Sequence, residues 1–228
     1  VVSIPLAAIG FGALIFGLAS IGESAEGHSG VPVWIPLVVG VAALGAFVWR
    51  QLALGGTDRV LLDLSVFRTR SFALAIVLVV VVFAVLLGTL ILLPLYLQQV
   101  LGLDTLATGL MLLPGGVLMG LAAPVVGALF DRFGPRPLVL PAAIVVSGAL
   151  WWMTTLDSDS TVPTIIAMHL MLNLGLAFMF TPLLTSALGA LPRRLYSHGS
   201  AIMSTLQQVA GAAGTALFVT LMAVGAAG

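Results

Sequence analysis

The chain has 228 residues, 61% of them hydrophobic and 7% charged, with a formal net charge of zero. Soluble domains carry about 25% charged residues, so this composition excludes an ordinary water-soluble fold, and zero net charge leaves no electrostatic footprint for a nucleic-acid partner. Cysteine is absent, which excludes disulfides, thiolate metal sites and cysteine nucleophiles within the chain.

Stretches free of Asp, Glu, Lys and Arg cover residues 1–22, 27–49, 71–103, 105–130, 137–156, 160–192 and 195–228. A spanning helix needs about 20 mostly apolar residues. The pattern therefore predicts seven spans, at 3–22, 31–49, 72–97, 106–130, 138–156, 162–190 and 200–226. Several are longer than an upright crossing requires, so tilt or kinks are expected. Transmembrane β-strands would be about 10 residues long with strict alternation, and no such alternation is present. The predicted fold class is all-α, a polytopic helix bundle of about seven transmembrane helices in a lipid bilayer. The chain begins at Val1 and ends at Gly228, at the close of an apolar run. Both ends are expected to be internal to a longer polypeptide.

The polar gaps, taken in chain order, alternate in charge. Glu23 and Glu26 follow the first span, and Arg50, Arg59, Arg68 and Arg70 the second. Asp104 lies in the third gap, Asp131, Arg132 and Arg136 in the fourth, Asp157 and Asp159 in the fifth, and Arg193 and Arg194 in the sixth. Alternate gaps share a side, and the basic side is cytoplasmic. The chain then starts inside and ends outside.

Each segment also carries local chemistry. In 61–72, Leu61, Leu62, Leu64, Val66 and Phe67 are expected to dip into the headgroup layer while Asp63, Arg68 and Arg70 stay wet. The third span ends in Tyr96, Gln98 and Gln99, where Tyr96 suits interfacial anchoring. The fourth contains Pro114-Gly115-Gly116 and closes on GALFDRFGPRP, residues 127–137. There Gly127 offers a close helix crossing, Asp131 a partner for a nearby Arg or a helix N-terminus, Gly134 a tight reversal, and Arg136 a cytosolic anchor. In the sixth span His169 and Asn173 stand four apart and share a face with Ala177, Thr181 and Thr185. Such a stripe either hydrogen-bonds between helices or borders a wet pathway. The seventh carries Ser200, Ser204, Gln207, Gln208, Gly211 and Gly214 at helical spacing. No Asp, Glu, Lys or Arg lies well inside a span. An intramembrane proton carrier would have to be His169 or lie outside this chain.

Gly127, Leu129, Asp131, Arg132, Gly134 and Arg136 match Gly-x-Leu-x-Asp-Arg-x-Gly-x-Arg, and the stretch resembles the loop signature of the major facilitator superfamily of secondary transporters. Residues 61–72, LLDLSVFRTRSF, are similar to a stretch that precedes a span in the fourteen-span drug:proton antiporter branch of that family. The resemblance covers the whole chain and implies a partial major-facilitator fold. Residues 1–53 would be an extra two-helix hairpin and 54–70 a cytoplasmic interfacial linker. Residues 71–228 would be five helices of the C-terminal bundle, with the last helix and the whole N-terminal bundle missing. The fourth span with its Pro-Gly-Gly break and the seventh with Gly211 and Gly214 would be the middle helices of two inverted repeats.

The implied function is part of a secondary active transporter in the cell membrane of a bacterium. It would export lipophilic drugs or secondary metabolites by alternating access in exchange for protons. No enzymatic activity, cofactor or metal is implied. The 127–136 loop would latch the two bundles on the cytoplasmic side. Gln98, His169, Asn173, Gln207 and Gln208 are the candidate substrate path, and Met168, Met171, Phe178 and Phe180 suit a lipophilic ligand. An uptake transporter of the same superfamily is the nearest alternative. A seven-helix receptor or sensor is another, since Asp131-Arg132-Phe133 is similar to the acidic-Arg-aromatic triplet of such receptors. That triplet, however, ends the fourth span here and not the third. A retinal protein would need a lysine, and the chain has none.

Overall fold

The computed structural model describes residues 3–25, 32–54 and 61–226, with side chains throughout except at 22–25 and 221–226. Glu26 and Arg59 of the charge pattern lie outside the described residues, as does the side chain of Glu23. Among the described residues every regular element is helical: α1 (Ser3–Ala25), α2 (Trp34–Ala53), α3 (Arg70–Gln99), α4 (Thr105–Phe133), α5 (Arg136–Met153), α6 (Val162–Gly189) and α7 (Tyr196–Ala226), with short 3₁₀ turns at Leu64–Arg68 and Arg193–Leu195. All seven α-helices are long and apolar enough to cross a membrane. The expected all-α bundle of seven spans is what forms.

Helices continue through their prolines, because a backbone in hydrocarbon must satisfy its hydrogen bonds within the protein. Pro94, Pro114, Pro124 and Pro182 all lie within unbroken helices. The polar gap expected at 131–137 shrinks to a two-residue turn: Asp131, Arg132 and Phe133 are the last turn of α4, and Arg136 already begins α5. α7 starts at Tyr196, a turn before the apolar run proper. α5 instead stops early, at Met153. The hydroxyls of Thr154 and Thr155 turn back to the carbonyls of Trp151 and Trp152, at 2.7 and 2.8 Å, and compete with further helix.

The chain divides into two compact units, residues 1–89 with 187–228, and residues 90–186; the division falls within α3 and α6. In the first unit, α1 and α2 form an antiparallel hairpin meshed through glycines. A Cβ on Gly10 or Gly17 would meet the side chain of Leu44 or Leu37, and one on Gly40 would come within 2.6 Å of the Leu14 backbone nitrogen. α7 packs on α1. On α3 it sets Gly211 under Leu87 and Gly214 against the Ala84 backbone, while Phe218 fills the notch at Gly88. Small residues permit this closeness, and dispersion between backbones rewards it.

The described part of the linker is tied down at its start, residues 61–63. The Gln51 side-chain oxygen accepts from the amides of Leu61 and Leu62, at 2.9 and 3.1 Å. Asp63 caps the 3₁₀ turn by accepting from the Ser65 amide at 2.9 Å, and its own N–H donates to His198 Nδ1 at 3.3 Å. These bonds hold the turn against the unit and carry Val66 into the core, where it is fully buried with Phe72. The expected immersion of Val66 in the headgroup layer is thereby corrected: only Leu61 and Phe67 of the five apolar residues are exposed. Phe67 meets Phe72 edge to face, with ring centroids 5.8 Å apart.

In the second unit, Leu93, Leu97, Met111 and Ile165 form a buried cluster flanked by Tyr96, Leu112, Met153 and Leu156. The Tyr96 hydroxyl donates to the Asp157 carbonyl in the turn between α5 and α6. Asp104 caps α4 by accepting from the Ala107 amide at 2.7 Å. α6 meets α5 where a Cβ on Gly175 would strike Val146.

Candidate functional site

α6 is apolar on nearly all sides, and Ile165, Met168, Leu172 and Leu176 are almost wholly buried. His169 and Asn173 are its exceptions at mid-helix. They lie where α6 crosses α4, over Gly115, with space that only a glycine leaves: a Cβ there would touch the His169 ring and come within 2.8 Å of Asn173 Nδ2. Asn173 is buried and His169 half-buried.

The hydrogen bonds of the pair are specific. His169 Nε2 is 3.3 Å from the Leu112 carbonyl on α4. Asn173 Nδ2 donates to the His169 carbonyl at 2.8 Å and stands 3.2 Å from His169 Nδ1 and 3.1 Å from Nε2. A neutral imidazole with its hydrogen on Nε2 can donate to the Leu112 carbonyl. The Leu112 carbonyl is two residues before Pro114, which has no N–H to offer the Leu110 carbonyl. The imidazole therefore bonds to α4 at the stretch where its own ladder is interrupted.

The other polar candidates from the sequence lie on α3, α6 and α7. Gln98 is exposed near the end of α3. Gln207 is partly buried and Gln208 exposed on α7, in the first unit. Thr181 is partly buried and Thr185 exposed further along α6. Gly115, which sequence reading takes for a kink beside Pro114, is the seat of the polar pair. Its signal was the Pro-Gly-Gly run, but nothing local links it to His169.

The 127–136 motif forms the turn from α4 to α5. Gly134 closes α4 with φ +76°, a conformation costly for any residue with a Cβ, and its N–H returns to the Phe130 carbonyl at 2.8 Å. Asp131, Arg132 and Arg136 are exposed, and the Arg132 guanidinium lies 5.1 Å from the centre of the Phe133 ring. Leu129 is partly buried. A Cβ on Gly127 would meet nothing within 4 Å, so the close crossing expected there does not form among the described residues.

A family model described as Major Facilitator Superfamily matches residues 1–215. The chain is similar to the lincomycin resistance protein LmrB of Listeria monocytogenes, 46% identical over 99% of this chain and 47% of the relative. It is likewise similar to the protein of that name in Bacillus subtilis, 42% identical over 99% of this chain and 46% of the relative. The multidrug resistance protein B homolog of Mycobacterium tuberculosis is 32% identical over 93% of this chain and 39% of the relative. The chain spans about half the length of the curated relatives it matches.

Proposed function

Since the chain belongs to the Major Facilitator Superfamily, we propose that it is part of a secondary transporter that exports lipophilic drugs or secondary metabolites from a bacterial cell in exchange for protons. The observation that carries this reading is the similarity, along nearly the whole chain, to proteins named for lincomycin and multidrug resistance. Family membership removes the receptor alternative. Helices lined with Met, Phe and neutral polar groups suit a lipophilic cargo better than an uptake substrate bearing phosphate or several charges.

In this reading the basic gaps face the cytoplasm, and an N-terminal bundle precedes the α1–α2 hairpin. The exposed Asp131 and Arg132 latch onto that bundle in one state of the cycle. His169 and Asn173 form the polar step of the pathway in this half. His169 is a titratable side chain at this step, and a proton gained there would place charge where α4 and α6 cross at Gly115. Gln98, Gln207 and Gln208 supply further hydrogen-bonding positions for cargo.

The test is expression of the full-length protein in a drug-susceptible bacterial host lacking its own efflux pumps. Reduced susceptibility to lincosamides or other lipophilic drugs is expected, with drug accumulation restored by a protonophore. Unchanged susceptibility across a broad panel, with the protein present in the membrane, would overturn the export reading. Export that survives the protonophore would overturn proton coupling alone.

A further inference from the structure

The first unit holds an apolar cavity of about 220 Å³ where the hairpin, the linker and α7 converge, with walls that include Phe11, Phe47, Leu62, Phe67, Ile202 and Leu206. Its lining is wholly apolar apart from Thr205, whose hydroxyl is already used on the Ala201 carbonyl at 2.8 Å. Water has nothing to bond there, and an empty space of that size forfeits dispersion on every wall.

The same junction is strongly basic. Arg68 follows the wall residue Phe67, and Arg50 lies two residues past the wall residue Val48, with its Nε donating to Ser3 Oγ at 3.1 Å. Arg194 acts electrostatically on Asp63, which stands between the wall residues Leu62 and Leu64. Arg68, Arg70 and Arg194 are exposed. Asp63 is the one carboxylate in this part of the described chain, and it is committed to the Ser65 amide. A buried donor is also unused. Gln51 is 2% exposed, its oxygen is fixed by the Leu61 and Leu62 amides, and its Nε2 has no partner among the described residues. It lies one turn beyond Phe47 on α2.

An apolar slot beside exposed arginines matches one kind of molecule in a membrane. We propose that this junction is a binding site for an anionic phospholipid. An acyl chain fills the slot among Phe11, Phe47, Phe67 and Leu206, and the phosphate sits against Arg68 and Arg194. Such a lipid would join the hairpin, the linker and α7 through contacts the protein leaves open. The inference depends on the chain being a membrane protein and not on what it transports.

The experiment is native mass spectrometry of the full-length protein in mild detergent, after reconstitution with equal amounts of phosphatidylglycerol and phosphatidylcholine of the same acyl chains. Selective retention of phosphatidylglycerol is expected. Each juxtamembrane arginine is worth about 1 kcal/mol toward an anionic surface, so Arg68→Gln and Arg194→Gln should each lower retention about fivefold. Leu206→Trp, which fills the slot, should abolish it. Because Leu206→Trp can disturb packing, the exposed-arginine variants decide the case on their own. Equal retention of the two lipids, or arginine variants that keep phosphatidylglycerol as the parent does, would overturn the proposal.

Discussion

Gly115 of α4 lies beneath the imidazole of His169 with no room for a side-chain carbon between them. Gly115→Ala should therefore destabilise the protein despite the better helix propensity of alanine. Overpacking costs about 1–3 kcal/mol, against roughly 0.5–1 kcal/mol gained from replacing glycine within a helix. Thermal unfolding of the purified full-length protein measures the net effect. Combining it with His169→Ala should restore most of the loss; a double variant no better than Gly115→Ala alone would mean that some other neighbour sets the cost.

His169→Ala removes the interhelical bond to the Leu112 carbonyl. If His169 belongs to the cargo path, the substitution should change the ranking of exported drugs more than the amount of protein in the membrane. Drug-by-drug susceptibility, normalised to abundance, reads this. A uniform loss that simply follows abundance would reduce the residue to a structural tie.

Asp131 is exposed on the last turn of α4. If it serves as a latch, Asp131→Asn should depress transport while leaving expression, melting temperature and drug binding close to those of the parent. A carboxylate on the last turn of a helix opposes the helix dipole, so its removal takes away no stabilising helix-end charge, and normal turnover of the variant would overturn the latch.

The Asp63 carboxyl is held below its ordinary range, chiefly by the Ser65 hydrogen bonds, with smaller contributions from His198 and Arg194. A lowered folded-state value means its contribution is fully present above the ordinary carboxylate range and is lost as pH falls through the lowered value. Protease or labelling access to the linker should thus rise on acidification below that range. Asp63→Ala should remove that step, at a cost on the order of 0.5–2 kcal/mol for the lost cap. A linker equally accessible in both proteins at every pH would contradict this.

The proposed topology is directly testable because the chain has no native cysteine. Ser158→Cys, between α5 and α6, should react with an impermeant maleimide added outside intact cells, and Ser197→Cys, at the start of α7, only after the cells are opened. The reverse pattern would invert the arrangement.

Length, apolarity and the positions of a few charges determined the spans, since a chain this poor in charge has only helices to offer a bilayer. They also determined the reversal at Gly134, whose left-handed backbone conformation is local chemistry. The faces of the helices were another matter. A helix apolar all round carries no amphipathic stripe to say which side meets a neighbour. Tertiary packing alone decided that His169 and Asn173 lie over Gly115, that Gly127 meets no neighbour among the described residues, and that Val66 turns inward. Each outcome depends on contacts with residues distant in the chain: α4 against α6 for the first, and Gln51 and His198 drawing the linker down for the last. Local sequence encodes where a helix begins and ends; which of its atoms find a partner depends on shape complementarity between surfaces that meet only after folding.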